Sequence, residues 1–178
     1  MPTTRQEHPA SMAPLDEAGL RELILEIIDE NHLMCVATVR SDGWPHATLV
    51  NYLRLGRALY FVIARESQKF ANITQDSRVS IALGGGLITN GAVRGLSMAA
   101  RAIEIGDPAR IEEINKAIFR QSKTAGFRPH PSSVLVAVME ARPSVISVVD
   151  YTVPPGRRDL VQAVEDWRIE RIPPRSPS

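Results

Sequence analysis

The sequence predicts an α+β protein in which about six or seven antiparallel strands form a barrel and a few helices lie outside it. Two observations lead to this fold class. Successive β-type runs are joined by links of only a few residues, which suit antiparallel neighbours but not parallel strands. The order of the elements, β-β-β-α-β-β-α-β-β, also excludes a regular βαβ alternation. With 178 residues, 44% of them hydrophobic, we expect one domain with one core.

The chain opens with two elements of different character. Residues 1–14 contain three prolines and little hydrophobic pattern, which is typical of a flexible arm. An amphipathic helix is predicted next, with Asp16 as its N-cap and with Asn31 and His32 at its end. Its apolar side chains recur with the helical period, at Leu20, Leu23, Ile24, Ile27 and Ile28.

The strongest local pattern is that of a β-hairpin. The runs LMCVATV (33–39) and HATLVNYLRL (46–55) flank an Asp-Gly turn at 42–43. Gly56 marks a second turn before a third strand, ALYFVIA (58–64), so these three strands are predicted to form a meander. The later predicted strands are VSIAL (79–83), GLSMAARAIEI (95–105), VLVAVME (134–140) and, beyond Arg142-Pro143, SVISVVDYT (144–152).

Two more helices are predicted outside the barrel. A short one runs from Ser67 to Gln75, and another begins at Asp107-Pro108. The apolar side of the second is formed by Ile111, Ile114, Ala117 and Ile118. Gly84-Gly85-Gly86 does not match a dinucleotide-binding fingerprint and is interpreted as a flexible turn. The segment from Pro173 onward is rich in proline and serine, and we expect it to be disordered.

Composition narrows the class of function. The net charge is +1 and aromatic residues make up 5%, so nothing in the composition favours nucleic acid or an anionic membrane as a partner. The single cysteine, Cys35, lies in an apolar run and is expected to be a small buried hydrophobe. The histidines are scattered without metal-ligand spacing, so no metal site is expected. Since no signal-peptide core or membrane-spanning stretch is visible, we expect a cytoplasmic protein.

Residues 64–73, ARESQKFANI, carry the pattern with the most chemistry. They follow an apolar strand and open a helix, so the backbone N–H groups of Ser67, Gln68 and Lys69 are expected at a helix N-terminus, where an anion is stabilised. The Ser67 hydroxyl and the cationic groups of Lys69 and Arg65 would add to this attraction. Because serine is a preferred N-cap, the same residues also suit a plain helix cap with a solvated lysine. From this pattern alone, both interpretations stay open.

Five segments occur in the order and spacing of a known family. They are VATVRSDGWPHATLVNYL, LYFVIARESQKFANI, DSRVSIAL, GLSMAARAIEIGDPARI and SVVDYTVPPGRRDLV. Through them the chain from Leu33 to about Val161 resembles the pyridoxamine 5'-phosphate oxidase-related family of FMN-binding split barrels. The resemblance implies a six-stranded antiparallel split β-barrel with peripheral helices, and a homodimer with FMN in a groove at the subunit interface. The division that follows is a flexible arm at 1–14, an FMN-binding split-barrel domain at 15–165 and a C-terminal tail at 166–178.

The resemblance also implies which residues contact FMN. Ser67, Gln68 and Lys69 correspond to the Ser-Arg-Lys phosphate motif of the family, with Gln68 in place of arginine. Thr48 stands where the oxidases of the family commonly carry an arginine that contacts the phosphate. Two cations of the pattern are therefore absent, and Arg65 is a candidate to replace one. The implied cofactor-binding residues are Thr48, Leu49, Val50 and Asn51 along the flavin ring and ribityl chain, Ile63 and Ala64 beside the ribityl chain, and Arg65, Ser67, Gln68 and Lys69 around the phosphate.

Candidates for contact with a substrate are His46, Trp44, Tyr52 and Arg101. His46 either faces the pocket or is a half-exposed hairpin residue, and Trp44 either covers a flat ligand or, as the commoner outcome, packs on the barrel. The ending DWRIERIPP (166–174) resembles the Trp-x-x-x-Arg-Leu-x-Pro ending of true pyridoxamine phosphate oxidases, through Trp167 and Arg171. The Arg-x-His segment by which those oxidases hold pyridoxal phosphate has no counterpart, so vitamin B6 phosphate is not the expected substrate.

The function implied by the resemblance is that of an FMN-dependent oxidoreductase whose substrate the sequence does not identify. FMN would accept a hydride from a reduced nicotinamide or an organic substrate and pass electrons to oxygen or a second substrate. No residue stands out as a general acid or base, which agrees with a reaction of this kind. Two alternatives stay open. One is a non-catalytic flavin- or haem-binding or storage protein. The other is a deazaflavin-dependent reductase, which the absence of two phosphate-binding cations favours.

Overall fold

The computed structural model describes residues 14–84, 93–121, 135–152 and 156–173. Within these ranges, the strands form one antiparallel sheet and helices pack against it, which confirms the α+β class. The helices are α1 (Glu17–Glu30), α2 (Gln68–Gln75) and α3 (Pro108–Gln121). The strands are β1 (Leu33–Val39), β2 (Pro45–Asn51), β3 (Leu53–Leu55), β4 (Ala58–Ala64), β5 (Arg78–Gly84), β6 (Arg94–Glu104), β7 (Val136–Asp150), β8 (Arg157–Ala163) and β9 (Ile169–Arg171).

Three predicted segments fall wholly or largely outside the described residues. They are the arm, of which Pro14 alone is described, the glycine turn beyond Gly84, and the tail beyond residue 173.

The barrel closes through one bent strand. β2 and β3 are separated only by Tyr52, yet they stand at the two ends of the sheet order β2-β1-β5-β6-β7-β4-β3. Because β2 pairs with β1 and β3 pairs with β4, the bent β2–β3 strand joins the two ends of the sheet. With β2 and β3 taken as one strand, β1, β2–β3, β4, β5, β6 and β7 form the barrel. The predicted split barrel and its opening meander are therefore confirmed, while the sheet of the described residues has nine strands in all.

The bend at Tyr52 corrects the prediction of one straight strand over 46–55. Side chains along β2 alternate between exposed and half-buried, whereas Tyr52 and Leu53 are both buried. Two successive buried residues break the period of two that a regular strand keeps. The Tyr52 hydroxyl donates a hydrogen bond of 2.5 Å to the carbonyl of Ile28 in α1, and its backbone N–H donates to the His32 carbonyl at 3.3 Å. Contact with the end of α1 thus sets the bend.

β7 is one continuous strand of 15 residues, so the prediction of two strands separated by Arg142-Pro143 is wrong. The register with β6 shifts between Ala99 and Ala100, where Pro143 lies opposite. A bulge at this point accommodates the proline, whose missing N–H would otherwise interrupt a regular ladder. β7 pairs with β4 through its first half and with β8 through its second half.

Helix α1 covers one side of the barrel. Its predicted N-cap is confirmed, because the Asp16 carboxylate accepts a hydrogen bond from the Gly19 N–H at 2.8 Å. Arg94 of β6 forms an ion pair of 2.7 Å with Glu26 of the helix. The fully buried side chains of α1 are Leu20, Ile24, Ile27 and Ile28.

Strands β8 and β9, which the sequence analysis did not predict, extend the sheet beyond β7. A 3-10 turn between them ends at Trp167, which is buried and donates its indole N–H to the Gly56 carbonyl at 2.6 Å. Arg171 in β9 donates to the Leu15 carbonyl at 2.6 Å. The first part of the predicted tail at 166–178 therefore packs on the barrel, while the division of the chain into domains stays a prediction.

Candidate functional site

The segment singled out by the sequence begins where β4 ends and continues into α2. Ile63 is buried in the core and Ala64 is exposed at the strand end. The Ser67 hydroxyl oxygen accepts from the Phe70 N–H at 3.2 Å, and its O–H donates to the Ala64 carbonyl at 2.6 Å. This confirms the predicted strand, cap and helix. It also places the positive end of the α2 dipole directly after the strand.

Lys69 lies in the first turn of α2 and is only 7% exposed. In the ranges that the structure describes, no carboxylate forms an ion pair with it. Burial lowers the pKa of Lys69 below its ordinary value, and interaction with the Cys35 thiol acts in the opposite direction. A buried cation without a counter-ion is stabilised by an anion that reaches it. The alternative of a solvated surface lysine is therefore wrong.

The predicted ligand contacts on strand β2 lie on two opposite faces of the strand. His46, Thr48 and Val50 are half-buried, whereas Leu49 and Asn51 are exposed. Alternation along a strand puts these two sets on opposite faces, so within one subunit their side chains do not share a surface. The Nδ1 atom of His46 and the Oγ1 atom of Thr48 are both buried, and neither has a hydrogen-bond partner among the described residues. The half-buried face therefore offers polar atoms to a ligand.

The other polar side chains of the segment are engaged within the chain. The Arg65 guanidinium pairs with Glu104 of β6 and lies over the Phe70 ring, 5.4 Å from its centroid. The Gln68 side-chain amide donates to the Asn72 Oδ1 at 2.8 Å, one turn further along α2. These contacts distinguish Arg65 and Gln68 from Lys69, although their assignment as cofactor contacts stays a prediction.

The structure does not bring the four substrate candidates together. Trp44 is 70% exposed in the β1–β2 turn, so its ring does not pack on the barrel as expected. Tyr52 is buried, and its hydroxyl donates to the Ile28 carbonyl, so this residue has a packing role in the described structure. Arg101 lies on β6, three strands from β2, and donates to the Ser77 hydroxyl at 3.1 Å. His46 alone of the four lies on the half-buried face of β2.

Two buried polar residues were missed by the sequence analysis, one inside this segment and one on the neighbouring strand β1. Thr38 is 3% exposed and Asn72 is 2% exposed. The Asn72 amide donates to the Thr38 hydroxyl at 2.8 Å, and that hydroxyl donates to the His46 carbonyl at 3.3 Å. The available signal was the position of Asn72, three residues after Lys69 and therefore on the same side of the helix.

The described ranges contain neither a metal-binding cluster nor a membrane-spanning helix. Their His, Cys, Asp and Glu side chains contain no group of three or more placed to hold a metal ion. No helix in the same ranges has the length and apolar character needed to cross a membrane.

The comparison with protein families decides the relationship. A family model described as pyridoxamine 5'-phosphate oxidase matches residues 20–149, which span all but the first three residues of α1 and all but the last residue of β7. The chain belongs to the pyridoxamine 5'-phosphate oxidase family. Among curated proteins, none matches this family member significantly.

Solved structures confirm the split-barrel fold of the family. Campylobacter jejuni ChuZ is 13% identical with a TM-score of 0.73, and the match covers 89% of this chain and 64% of that chain. A heme binding protein from Mycobacterium smegmatis is 18% identical with a TM-score of 0.63, covering 85% and 60% respectively. A putative pyridoxamine 5'-phosphate oxidase from Listeria innocua is 22% identical with a TM-score of 0.58, covering 72% and 97%. The match covers less than two thirds of the length of the first two proteins. Sequence identities this low establish a shared fold and nothing about a shared function.

Proposed function

We propose that this family member is an FMN-dependent oxidoreductase that binds the FMN phosphate at the start of α2. The observation that carries the proposal is Lys69, a residue only 7% exposed whose ammonium group no carboxylate of the described residues neutralises. A phosphate group would neutralise it through charge-assisted hydrogen bonds. The positive end of the α2 dipole would add to the attraction.

The residues present fit a phosphate-bearing ligand, with fewer cations than the family pattern. Lys69 would bind the phosphate together with backbone N–H groups at the start of α2. Thr48 and Gln68 stand where the pattern has arginines, and both are neutral hydrogen-bonding groups. The Thr48 hydroxyl oxygen, buried without a partner among the described residues, is a ready contact for the same ligand. Bound FMN would supply hydride or electron transfer, and the chain would supply its position.

The proposal includes a homodimer with FMN at the subunit interface, as the family resemblance implies. The outer face of β2, β1, β5 and β6 carries small and apolar side chains that are exposed or half-buried within the described ranges. Leu49, on the β2 edge of this face, is 69% exposed. A broad apolar sheet face of this kind is typical of a protein–protein interface. Two cross-strand rows make up the face: Leu49, Cys35, Ala82 and Ser97, and beside them Ala47, Ala37, Ser80 and Ala99.

The cofactor is tested by the absorption spectrum of protein purified without added ligand, followed by mass analysis of what heat releases. FMN titration of Lys69→Ala should then show about tenfold weaker binding, the effect of one charge-assisted hydrogen bond. Lys116→Ala is the matched control, because Lys116 is exposed on α3 and pairs with Glu112. A wild-type protein that neither retains nor binds FMN would overturn the proposal.

A second candidate function is haem binding. The observation that favours it is the half-buried His46, whose Nδ1 atom has no partner among the described residues and is of a type that can bind haem iron. The Mycobacterium smegmatis protein of the same fold is a heme binding protein. Haem titration of wild type and His46→Ala separates the candidates: a Soret band that shifts on His46 replacement supports haem, and FMN binding that is insensitive to His46 supports flavin.

A further inference from the structure

Helix α2 and strand β2, which carry the two halves of the proposed site, are joined through the buried side chains of Thr38 and Asn72. Each is at most 3% exposed, and both lie among core residues of β1 and α2. Side chains of these two types are mostly exposed in folded proteins, so their burial beside the proposed site requires an explanation.

Their hydrogen bonds run in one direction across the two elements. The Gln68 amide donates to Asn72 Oδ1 at 2.8 Å, and the Asn72 amide donates to the Thr38 hydroxyl at 2.8 Å. The Thr38 hydroxyl donates in turn to the carbonyl of His46 at 3.3 Å. This relay of Gln68, Asn72, Thr38 and the His46 carbonyl connects the first turn of α2 to the backbone of β2.

The two ends of the relay lie close in sequence to Lys69 and Thr48, the two residues that the proposed function uses. Asn72 follows Lys69 by three residues on one side of α2, and Thr48 follows His46 by two residues on one face of β2. β2 pairs with β1 along its length, and no second strand of the described ranges is hydrogen-bonded to it. Directional hydrogen bonds fix the separation of two elements more sharply than apolar contact, which allows sliding.

We propose that Asn72 and Thr38 are positioning residues that hold Lys69 and Thr48 at the separation required by one phosphate-bearing ligand. The inference rests on the proposed function, because it uses FMN as the ligand. Neither residue contacts FMN in this scheme; each acts through the element to which it is bonded.

The test replaces the relay by apolar side chains of similar size. The double variant Thr38→Val with Asn72→Leu removes both polar partners together, so no buried group is left without a partner and the fold should persist. We expect this variant to melt close to wild type and to bind FMN about tenfold more weakly, with a changed ³¹P chemical shift of the bound phosphate. The single variant Thr38→Ser keeps the hydroxyl and should therefore retain wild-type affinity and the wild-type ³¹P shift.

A matched control is Thr74→Val, since the Thr74 hydroxyl is exposed and, among the described residues, bonds only to the Phe70 carbonyl of its own helix. A double variant that is folded and binds FMN with wild-type affinity and ³¹P shift would overturn the inference. Amide hydrogen exchange of the ligand-free protein gives a second readout: residues 46–50 should exchange faster in the double variant than in Thr38→Ser, and equal rates would count against it. If the wild type binds no FMN, the proposed function fails and the inference falls with it, whereas failure in the variants alone leaves that function standing.

Discussion

The guanidinium of Arg65 forms a bidentate ion pair with Glu104, where β4 passes into α2. The same guanidinium stacks on Phe70, which follows Lys69 in the helix. Lys69, by contrast, is buried with no carboxylate partner in the described ranges. The two cations of the proposed phosphate segment therefore have different roles, the first in joining β6 to α2 and the second in meeting a ligand.

Replacement of the two cations should separate these roles. Arg65→Ala should lower the melting temperature but change the Kd for FMN by less than about threefold, because its charge is already balanced by Glu104. Lys69→Ala should raise the Kd by about tenfold or more. Fluorescence titration with FMN measures both. An equal loss of affinity in the two variants would show that Arg65 also meets the phosphate.

The ligand-free protein should become relatively more stable as the pH rises into the alkaline range. The pKa of Lys69 in the folded protein is held below its ordinary value of 10.5 by burial, so the unfolded chain binds this proton more readily. Protonation therefore disfavours the folded state at neutral pH, and this penalty is relieved as the pH rises through the folded pKa towards 10.5.

Lys69→Met removes this penalty and should raise the free energy of unfolding by about 1 kcal/mol at pH 7, with a smaller gain near pH 10. Urea unfolding midpoints of both proteins at the two pH values measure the difference. A gain that is the same at both pH values would mean that packing, rather than charge, explains it.

Tyr52→Phe should destabilise the barrel by about 1–2 kcal/mol, because the Ile28 carbonyl would lose its buried hydrogen bond. That carbonyl is among the last four of α1, which have no partner within the helix. Burial also raises the pKa of Tyr52, so its hydroxyl stays protonated as the donor. Urea unfolding measures the loss, and Tyr151→Phe, at an exposed tyrosine, should cost less. A loss of FMN affinity without a loss of stability would instead place Tyr52 at the ligand.

Leu49→Asp should convert the proposed dimer into monomers. Leu49 is 69% exposed on the apolar outer face of β2, and a carboxylate there would be desolvated between two subunits. Sedimentation velocity measures the change, and the FMN affinity should fall with it if both subunits line the site. Sedimentation of the wild type as a monomer at high concentration would contradict the proposed homodimer.

Local patterns predicted most elements of the fold. The hairpin, the helix after Ser67 and the cap at Asp16 follow from side-chain period and turn chemistry, which act over a few residues. The bend at Tyr52 and the continuity of β7 through Pro143 were not predictable in this way. The first depends on α1, and the second on a register shift between β6 and β7, so both involve residues distant in the sequence.

The sequence by itself determined the family, the order of the strands along the chain and the segment that carries the proposed site. All three follow from short sequence motifs and from the spacing between them. Only the tertiary structure decided which groups of that segment are available to a ligand. The partner of Arg65 lies 39 residues away, and Lys69 is only 7% exposed in the folded chain. Burial and charge pairing are properties of residues brought together in space, and no local pattern contains them.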